Sequence, residues 1–186
     1  VDLLVAYPLS RPNVLRLAEL AAAHGDVKVA VLCEDAQGVA DTPDGLDIWL
    51  DVNPLHYNRT GAPAENADQH AAVVAAAGAR FAGVHYYDGH LDSTSCAEAY
   101  DELVKSVLPR LPLDGTRFGA AREVPRVTSG TPTFEGALRY DWAGAPHQIS
   151  PGTVVFTDVR TLSQVSEAVG PQPAALVLCR AVSRPA

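Results

Sequence analysis

The segment Ser129-Gly130-Thr131-Pro132-Thr133 combines residue types that suit phosphate binding. Small residues let backbone N–H groups approach an anion, and hydroxyl groups add neutral hydrogen-bond donors. Glycine, serine, threonine and proline also dominate ordinary turns, which require no ligand. The segment therefore has two interpretations, a phosphate cradle and a plain turn.

Further polar segments follow other apolar runs and carry possible cofactor or metal ligands. Arg59 stands among polar residues after one such run, where it could reach the mouth of a barrel. His85, Asp88 and His90 are metal-ligand types, but their spacing in a loop with Gly89 is not diagnostic of a metal site.

Two aspartates end predicted strands or stand just beyond them. We expect Asp51 and Asp158 to fix their loops by hydrogen bonding rather than to do acid–base chemistry.

The elements that position these residues alternate between apolar strands and helices. Buried strands are predicted over residues 3–7, 27–33, 46–52, 80–87, 124–128 and 153–157. Helices are predicted from about residue 12 to Gly25, over 64–77 and from about 95 to 108, and residues 134–149 are expected to form a long loop. Residues 174–182 form another strand-like run.

This alternation predicts an α/β fold with a parallel sheet covered on both faces. Six strands with polar residues at their carboxyl ends suit most of a (β/α)₈ barrel, although six cannot close one of eight. A doubly wound open sheet is the alternative. No Gly-x-Gly-x-x-Gly follows a strand, which argues against the dinucleotide-binding form of that alternative.

The composition narrows the range of partners. A formal net charge of −8 argues against nucleic acid or an anionic membrane as the main partner, since both need a basic surface. The three distant cysteines Cys33, Cys96 and Cys179 indicate neither a disulfide framework nor a zinc site, which favours a reducing cytoplasm. No membrane span or signal peptide is evident. The chain begins with valine and contains no methionine, so we expect a segment to precede it.

Taken together, these segments resemble the fold-type III pyridoxal-phosphate enzymes, in the branch of D-threonine aldolase and D-serine dehydratase that is related to alanine racemase. The resemblance follows the family's order through residues 1–8, 51–61, 81–90, 129–134, 151–158 and 177–185. It implies an incomplete (β/α)₈ barrel of the alanine-racemase type, with about six of eight strands, in residues 1–172. Residues 173–186 would begin a β-rich C-terminal domain.

The resemblance also implies pyridoxal 5'-phosphate as cofactor and assigns roles to residues of this chain. Arg59 matches the arginine that faces the pyridine nitrogen, and Tyr87 matches an aromatic residue near cofactor and substrate, so these two are the catalytic candidates. An arginine does not give up its proton, so the ring nitrogen would stay unprotonated. The phosphate contacts would come from Ser129, Gly130, Thr131, Thr133, Gly152 and Thr153.

Some family features have no match here. The Schiff-base lysine of the family lies on the first barrel strand, upstream of these residues, and neither Lys28 nor Lys105 corresponds to it. The family's ligands for a divalent metal (Mn, Mg or Zn) lie in the C-terminal domain. Val154 stands where a tyrosine is expected, and the stretch from Asp51 to Arg59 is one residue longer than usual. We therefore expect the 186-residue chain alone to be inactive.

The function that the resemblance implies for the intact protein is a lyase acting on D-β-hydroxy amino acids, as a cytoplasmic homodimer. Retro-aldol cleavage would give glycine and an aldehyde, as in D-threonine aldolase. The alternatives are a D-serine dehydratase or an amino-acid racemase of the same fold, a non-catalytic pyridoxal-phosphate-binding module, and an unrelated open α/β protein.

Overall fold

Six parallel strands in one sheet organise the chain in a computed structural model that describes residues 2–54, 59–176, 178, 180 and 183. The order in the sheet is β1-β2-β3-β5-β6-β7, and a short seventh strand, β4, pairs only with β3. The strands are β1 (Asp2–Val5), β2 (Lys28–Cys33), β3 (Asp47–Asn53), β4 (Ala62–Pro63), β5 (Phe81–Tyr86), β6 (Arg126–Thr128) and β7 (His147–Ile149). All pairings are parallel, so the described part of the chain is an α/β half-barrel.

Helices connect the strands. They are α1 (Arg11–Ala23), α2 (Ala36–Ala40), α3 (Ala67–Ala77), α4 (Cys96–Glu102), α5 (Phe134–Arg139) and α6 (Val159–Gln164). Helix α4 continues into a π turn at Leu103–Val107 and a 3₁₀ turn at Leu108–Arg110. In the described part of the chain, no helix is long and apolar enough to span a bilayer.

One large apolar cluster joins alternate residues of the sheet to the helices. Because successive strand residues point to opposite faces, one face of each strand can pack on the helices while the other faces the barrel interior. The fully buried strand members are Ile48, Leu50, Val52, Phe81, Val84 and Tyr86, and the helical members include Val14, Val39, Val73, Val74 and Ala99. The opposite face contains Trp49, Asp51 and His85, so it carries the polar groups that end at the mouth.

A glycine on β5 makes room for the indole of Trp49. A Cβ built on Gly83 would lie 2.7 Å from Trp49 Cζ3 and 2.6 Å from the carbonyl oxygen of Pro125. Gly83 pairs with Trp49 in the sheet register, just where the register shifts by one residue. The absence of a side chain at this position therefore allows β3, β5 and the entry to β6 to approach one another.

The prediction of an α/β fold with parallel strands in sequence order is confirmed, and five strands lie where they were expected. The prediction of the sixth strand was wrong, because residues 153–157 contain a 3₁₀ turn at Thr153–Val155. The sixth barrel strand is instead His147–Ile149. Val155 and Phe156 are 66% and 62% exposed, so they do not belong to a buried strand.

The long loop expected over residues 134–149 was also wrong, because helix α5 and strand β7 occupy part of it. Residues 174–176, 178, 180 and 183 carry no regular structure, and the remaining positions of the strand expected over 174–182 lie outside the described residues. The domain boundary at residue 172 remains a prediction.

Candidate functional site

The loops after β6 and β7 enclose a cavity of about 370 Å³ at the carboxyl ends of the strands. The N–H of Ser150 donates to the carbonyl oxygens of Thr128 (3.0 Å) and Ser129 (3.2 Å), which ties the two loops together. Tyr87 and Gly89 close the side towards β5, and helix α6 closes the opposite side. The lining residues are Tyr87, Gly89, Gly130, Thr131, Pro132, Ser150, Gly152, Thr153, Asp158, Arg160, Thr161 and Gln164.

Several hydrogen-bond donors at this cavity have no acceptor in the described part of the chain. The N–H groups of Thr131, Gly152 and Thr153 donate to no protein atom there. The Thr131 hydroxyl accepts from the N–H of Val154 at 3.1 Å, so its own proton remains available to a ligand. Arg160 is also a lining residue, and the Oδ1 of the lining residue Asp158 is occupied by Thr161, so these donors suit an anionic ligand.

A fully buried carboxylate, Asp88, holds the loop after β6 in place through hydrogen bonds. Its Oδ1 accepts from the N–H of Gly130 at 3.2 Å and from the hydroxyl of Thr133 at 2.8 Å. Its Oδ2 accepts from the hydroxyl of Tyr100 at 2.6 Å. Burial, together with the Asp88 charge, raises the pKa of Tyr100, so this hydroxyl stays protonated and acts as a donor. Asp88 thus joins β5, α4 and the Ser129–Thr133 loop.

The hydrogen-bond network continues beneath the loop through buried hydroxyl groups. Tyr100 Oη lies 3.2 Å from Ser129 Oγ, which lies 2.7 Å from Thr128 Oγ1. Thr128 Oγ1 in turn lies 2.9 Å from His147 Nε2. Ser129 has φ +74°, which is uncommon for a residue with a side chain. The hydrogen bonds of the network offset the energetic cost of this backbone conformation, which turns the chain sharply after β6.

An arginine and two tyrosines form a stack beside the cavity. The guanidinium carbon of Arg59 lies 3.9 Å from the ring centroid of Tyr87 and 5.9 Å from that of Tyr7. These distances fall within the range of cation–π attraction. The stack holds a positive charge against the face of an aromatic residue that lines the cavity.

Asp51 and His85 form a buried pair on the same face of the sheet. They are direct register partners on β3 and β5, and His85 Nδ1 lies 2.7 Å from Asp51 Oδ1. The expectation that Asp51 fixes a loop was wrong, because its partner is a side chain of the neighbouring strand. Asp158 does fix its own loop, since its Oδ1 accepts from the N–H and the hydroxyl of Thr161 at the start of α6.

The structure separates the predicted phosphate residues into two groups. Gly130, Thr131, Gly152 and Thr153 line the cavity together with Tyr87, from three different strand ends. The hydroxyls of Ser129 and Thr133 are fully buried and bond to Tyr100, Thr128, Asp88 and the Gly130 carbonyl instead. These two hydroxyls therefore stabilise the loop through bonds to the protein and do not line the cavity. Residues 55–58, between Asp51 and Arg59, lie outside the described residues.

None of the possible metal ligands His85, Asp88 and His90, and neither lysine, is a lining residue of the cavity. His85 and Asp88 each bond to other protein groups, and no cluster of three His, Cys, Asp or Glu side chains in the described residues could hold a metal ion. Lys28 begins β2, at the amino end of the sheet, and Lys105 pairs with Asp101 at 2.9 Å on the surface.

His147 gives the site a testable dependence on pH. Burial, with the charge of Arg126 as a second cause, lowers the pKa of His147 to about 4, from an ordinary value of about 6.5. The unfolded chain therefore binds a proton more readily than the folded chain between these values, and stability falls as the pH falls through this window. Because His147 is only about half buried, solvent screening keeps this loss well below the ~3 kcal/mol that such a shift would give at full burial.

We expect the His147→Gln variant to lose less stability than the unsubstituted chain between about pH 6.5 and pH 4. Urea unfolding across this range measures the difference, and the stacking of Trp142 on His147, with centroids 3.9 Å apart, provides a fluorescence signal. Parallel stability curves for the two proteins would contradict the lowered pKa of His147.

The comparisons with known proteins agree with this geometry at the level of the fold. No protein-family model matches the chain, and no curated protein sequence is significantly similar to it. A solved structure of D-threonine aldolase from Filomicrobium marinum matches with a TM-score of 0.66 and 21% sequence identity. The match covers 89% of this chain and 46% of the aldolase, so this chain spans about half the length of that protein. The described chain therefore has the fold of part of that D-threonine aldolase, an incomplete barrel of the α/β class.

Proposed function

We propose that the chain is the pyridoxal-phosphate-binding part of a lyase that acts on D-β-hydroxy amino acids. The reaction would be retro-aldol cleavage to glycine and an aldehyde, with D-serine dehydration or racemisation as alternatives on the same fold. The observation that carries the proposal is the cavity between the β6 and β7 loops, where the N–H groups of Thr131, Gly152 and Thr153 have no partner in the described part of the chain. The fold of the solved D-threonine aldolase supports it.

The residues at the cavity fit a phosphorylated aromatic cofactor. A volume of about 370 Å³ lies within the range of small-molecule sites. A phosphate is a natural ligand for convergent N–H and hydroxyl donors at small residues. A Cβ built on Gly152 would meet no protein atom within 4 Å, so there is open space at this point of the lining.

The side chains of this chain would bind and orient the cofactor. Tyr87 lines the cavity, and Arg59 holds a fixed positive charge against its ring. When bound, pyridoxal phosphate withdraws electrons from the Cα of an amino acid, and the protein determines orientation and electrostatics. We propose that Arg59 faces the polar edge of the ring while the β6 and β7 loops hold the phosphate.

A binding module without catalysis is the second candidate. The observation that favours it is the position of the lysines, since neither Lys28 nor Lys105 belongs to the cavity lining. Binding of the cofactor by this chain alone would then depend on its phosphate and ring contacts. The two candidates differ in whether a longer protein containing this chain converts D-threonine to glycine.

Both candidate functions require that this chain binds the cofactor. Binding of pyridoxamine 5'-phosphate to the 186-residue chain tests this requirement. This probe has no aldehyde, so it cannot react with surface lysines. We expect Gly152→Val to weaken binding of the probe at least tenfold, because the added side chain occupies open space at the cavity lining without a clash at its Cβ. Fluorescence titration of the probe measures the affinity.

Gly25→Val is the matched control, because a Cβ there also meets no atom within 4 Å and the residue is not part of the cavity lining. It should leave the affinity unchanged. Equal binding of the probe by the Gly152→Val variant and the unsubstituted chain would refute the assignment of the phosphate site, and the absence of any binding would refute the cofactor.

A further inference from the structure

The strand-end pair of Asp51 and His85 has unusual surroundings for a structural ion pair. The side chains are only 2% and 5% exposed, and their atoms Oδ1 and Nδ1 are 2.7 Å apart. Asp51 Oδ2 is also buried and has no partner in the described part of the chain. A carboxylate accepts hydrogen bonds, so the short contact requires the proton on Nδ1 of His85.

The imidazole of His85 is linked by ring stacking to the cavity. Its centroid lies 6.4 Å from that of Tyr87, and the two rings are inclined by only 15°. Tyr87 directly follows the last residue of β5 and is two residues after His85, which accords with the two side chains projecting from the same face. The orientation that Asp51 imposes on His85 is therefore passed to the ring plane of Tyr87.

Two glycines pack closely against the hydroxyl end of the Tyr87 side chain. A Cβ on Gly89 would lie 2.2 Å from the Tyr87 hydroxyl oxygen, and one on Gly130 would lie 3.1 Å from it. The tyrosine therefore lies directly on the loop that lines the cavity, with Arg59 stacked at 3.9 Å from its centroid. A rotation of His85 would disturb Tyr87, and through it Arg59.

We propose that Asp51 and His85 are positioning residues that fix the ring of Tyr87, and with it the guanidinium of Arg59, at the cavity. Asp51 holds His85 as the tautomer protonated on Nδ1, and the fixed imidazole sets the plane of Tyr87. In ligand binding, the pair then governs how the aromatic ring of the cofactor is held, whereas the phosphate is held by the β6 and β7 loops. The role of the pair in cofactor binding rests on the proposed function, whereas the tautomer of His85 and the fixed plane of Tyr87 do not.

Nitrogen NMR of the 186-residue chain, without any ligand, tests the tautomer and the linkage to Tyr87. At about pH 8, where ordinary histidines are neutral, we expect a pyrrole-type Nδ1 and a pyridine-type Nε2 for His85, assigned by comparison with His85→Gln. Asp51→Asn should weaken this preference, because its amide can donate to Nδ1 as well as accept from it, and should shift the ring resonances of Tyr87. Asp47→Asn is the matched control, since Asp47 lies at the opposite end of β3 and pairs with the partly exposed Arg117.

A pyridine-type Nδ1 in the unsubstituted chain would overturn the proposal without any variant having to fold. Unchanged Tyr87 resonances in a folded Asp51→Asn variant would also overturn it.

Ligand titration separates this proposal from the proposed function. Asp51→Asn should weaken binding of pyridoxamine 5'-phosphate by about tenfold, the scale seen when a hydrogen-bonding partner of a metal-ligating side chain is removed. The affinity for inorganic phosphate should stay within about twofold, because the pair supports the ring and not the phosphate loops. If the unsubstituted chain binds phosphate but not the probe, the proposed function fails while the NMR result still decides the role of the pair. Equal losses for both ligands would contradict a positioning role confined to the ring.

Discussion

Replacing Asp88 with alanine should lower the free energy of unfolding by about 3–5 kcal/mol, the cost of breaking a buried, hydrogen-bonded polar network. The substitution removes the acceptor of three donors, the N–H of Gly130 and the hydroxyls of Thr133 and Tyr100. Tyr100 and Thr133 can turn to other acceptors nearby, but the Gly130 N–H has no second partner in the described part of the chain. Urea unfolding measures the loss.

Asp88→Asn is the matched variant for this experiment. Its amide oxygen can still accept from Gly130 and Thr133, and its amide nitrogen can donate to the Tyr100 hydroxyl, so we expect a smaller loss than in Asp88→Ala. Phosphate binding should follow the same order, because the loop that Asp88 supports lines the cavity. A loss below about 1 kcal/mol for Asp88→Ala would show that the network contributes no more than an ordinary single hydrogen bond.

Gly83→Ala should cost about 2–3 kcal/mol of stability, at the upper end for overpacking in a core. The new Cβ would approach the Trp49 ring to 2.7 Å and the Pro125 carbonyl oxygen to 2.6 Å, and the latter contact is with backbone. The indole of Trp49 is only partly buried and lines a cavity, so it has room to shift, whereas the carbonyl can move only with the entry to β6. Thermal and urea unfolding both report the change.

A double-mutant cycle with Trp49→Leu identifies which contact dominates. If the indole is the main obstacle, the cost of Gly83→Ala falls by at least 1 kcal/mol when the ring is absent. If the carbonyl dominates, the two substitutions are additive. Gly25→Ala is the control, since a Cβ there meets no atom within 4 Å. A Gly83→Ala variant as stable as the control would contradict the close approach of β3, β5 and β6.

The strands that could be predicted from sequence are those with long apolar runs. Residues 27–33 and 46–52 are rich in valine, leucine and isoleucine, and β2 and β3 differ from these bounds by only one residue. Strand β7 could not be found this way, because His147-Gln148-Ile149 is short and half polar. It is a strand because β6 provides a partner for its backbone. The β-branched run Thr153-Val154-Val155 had the composition of a strand but no neighbouring strand with which to pair.

The candidate site could be predicted in part. The residue types of the Ser129–Thr133 segment allowed a phosphate cradle or a plain turn, and the family resemblance added Gly152 and Thr153. The fold brings Gly130, Thr131, Gly152 and Thr153 to one cavity, and their role in phosphate binding stays a prediction. Sequence could not show that Ser129 and Thr133 turn away from the cavity, since that depends on Asp88, more than forty residues earlier. The pairing of Asp51 with His85 depends on the register of β3 against β5, which only the fold defines.

The parallel sheet also has a consequence for how the chain folds. Neighbouring strands pair over long sequence separations, such as Asp2 with Lys28 and Val84 with Arg126. The entropy of closing each crossover must be lost before the strands gain any contact, so such topologies have a high contact order and fold slowly. We therefore expect the helices to form first and the Ser129–Thr133 loop last, once the crossover between Asp88 and Gly130 has closed.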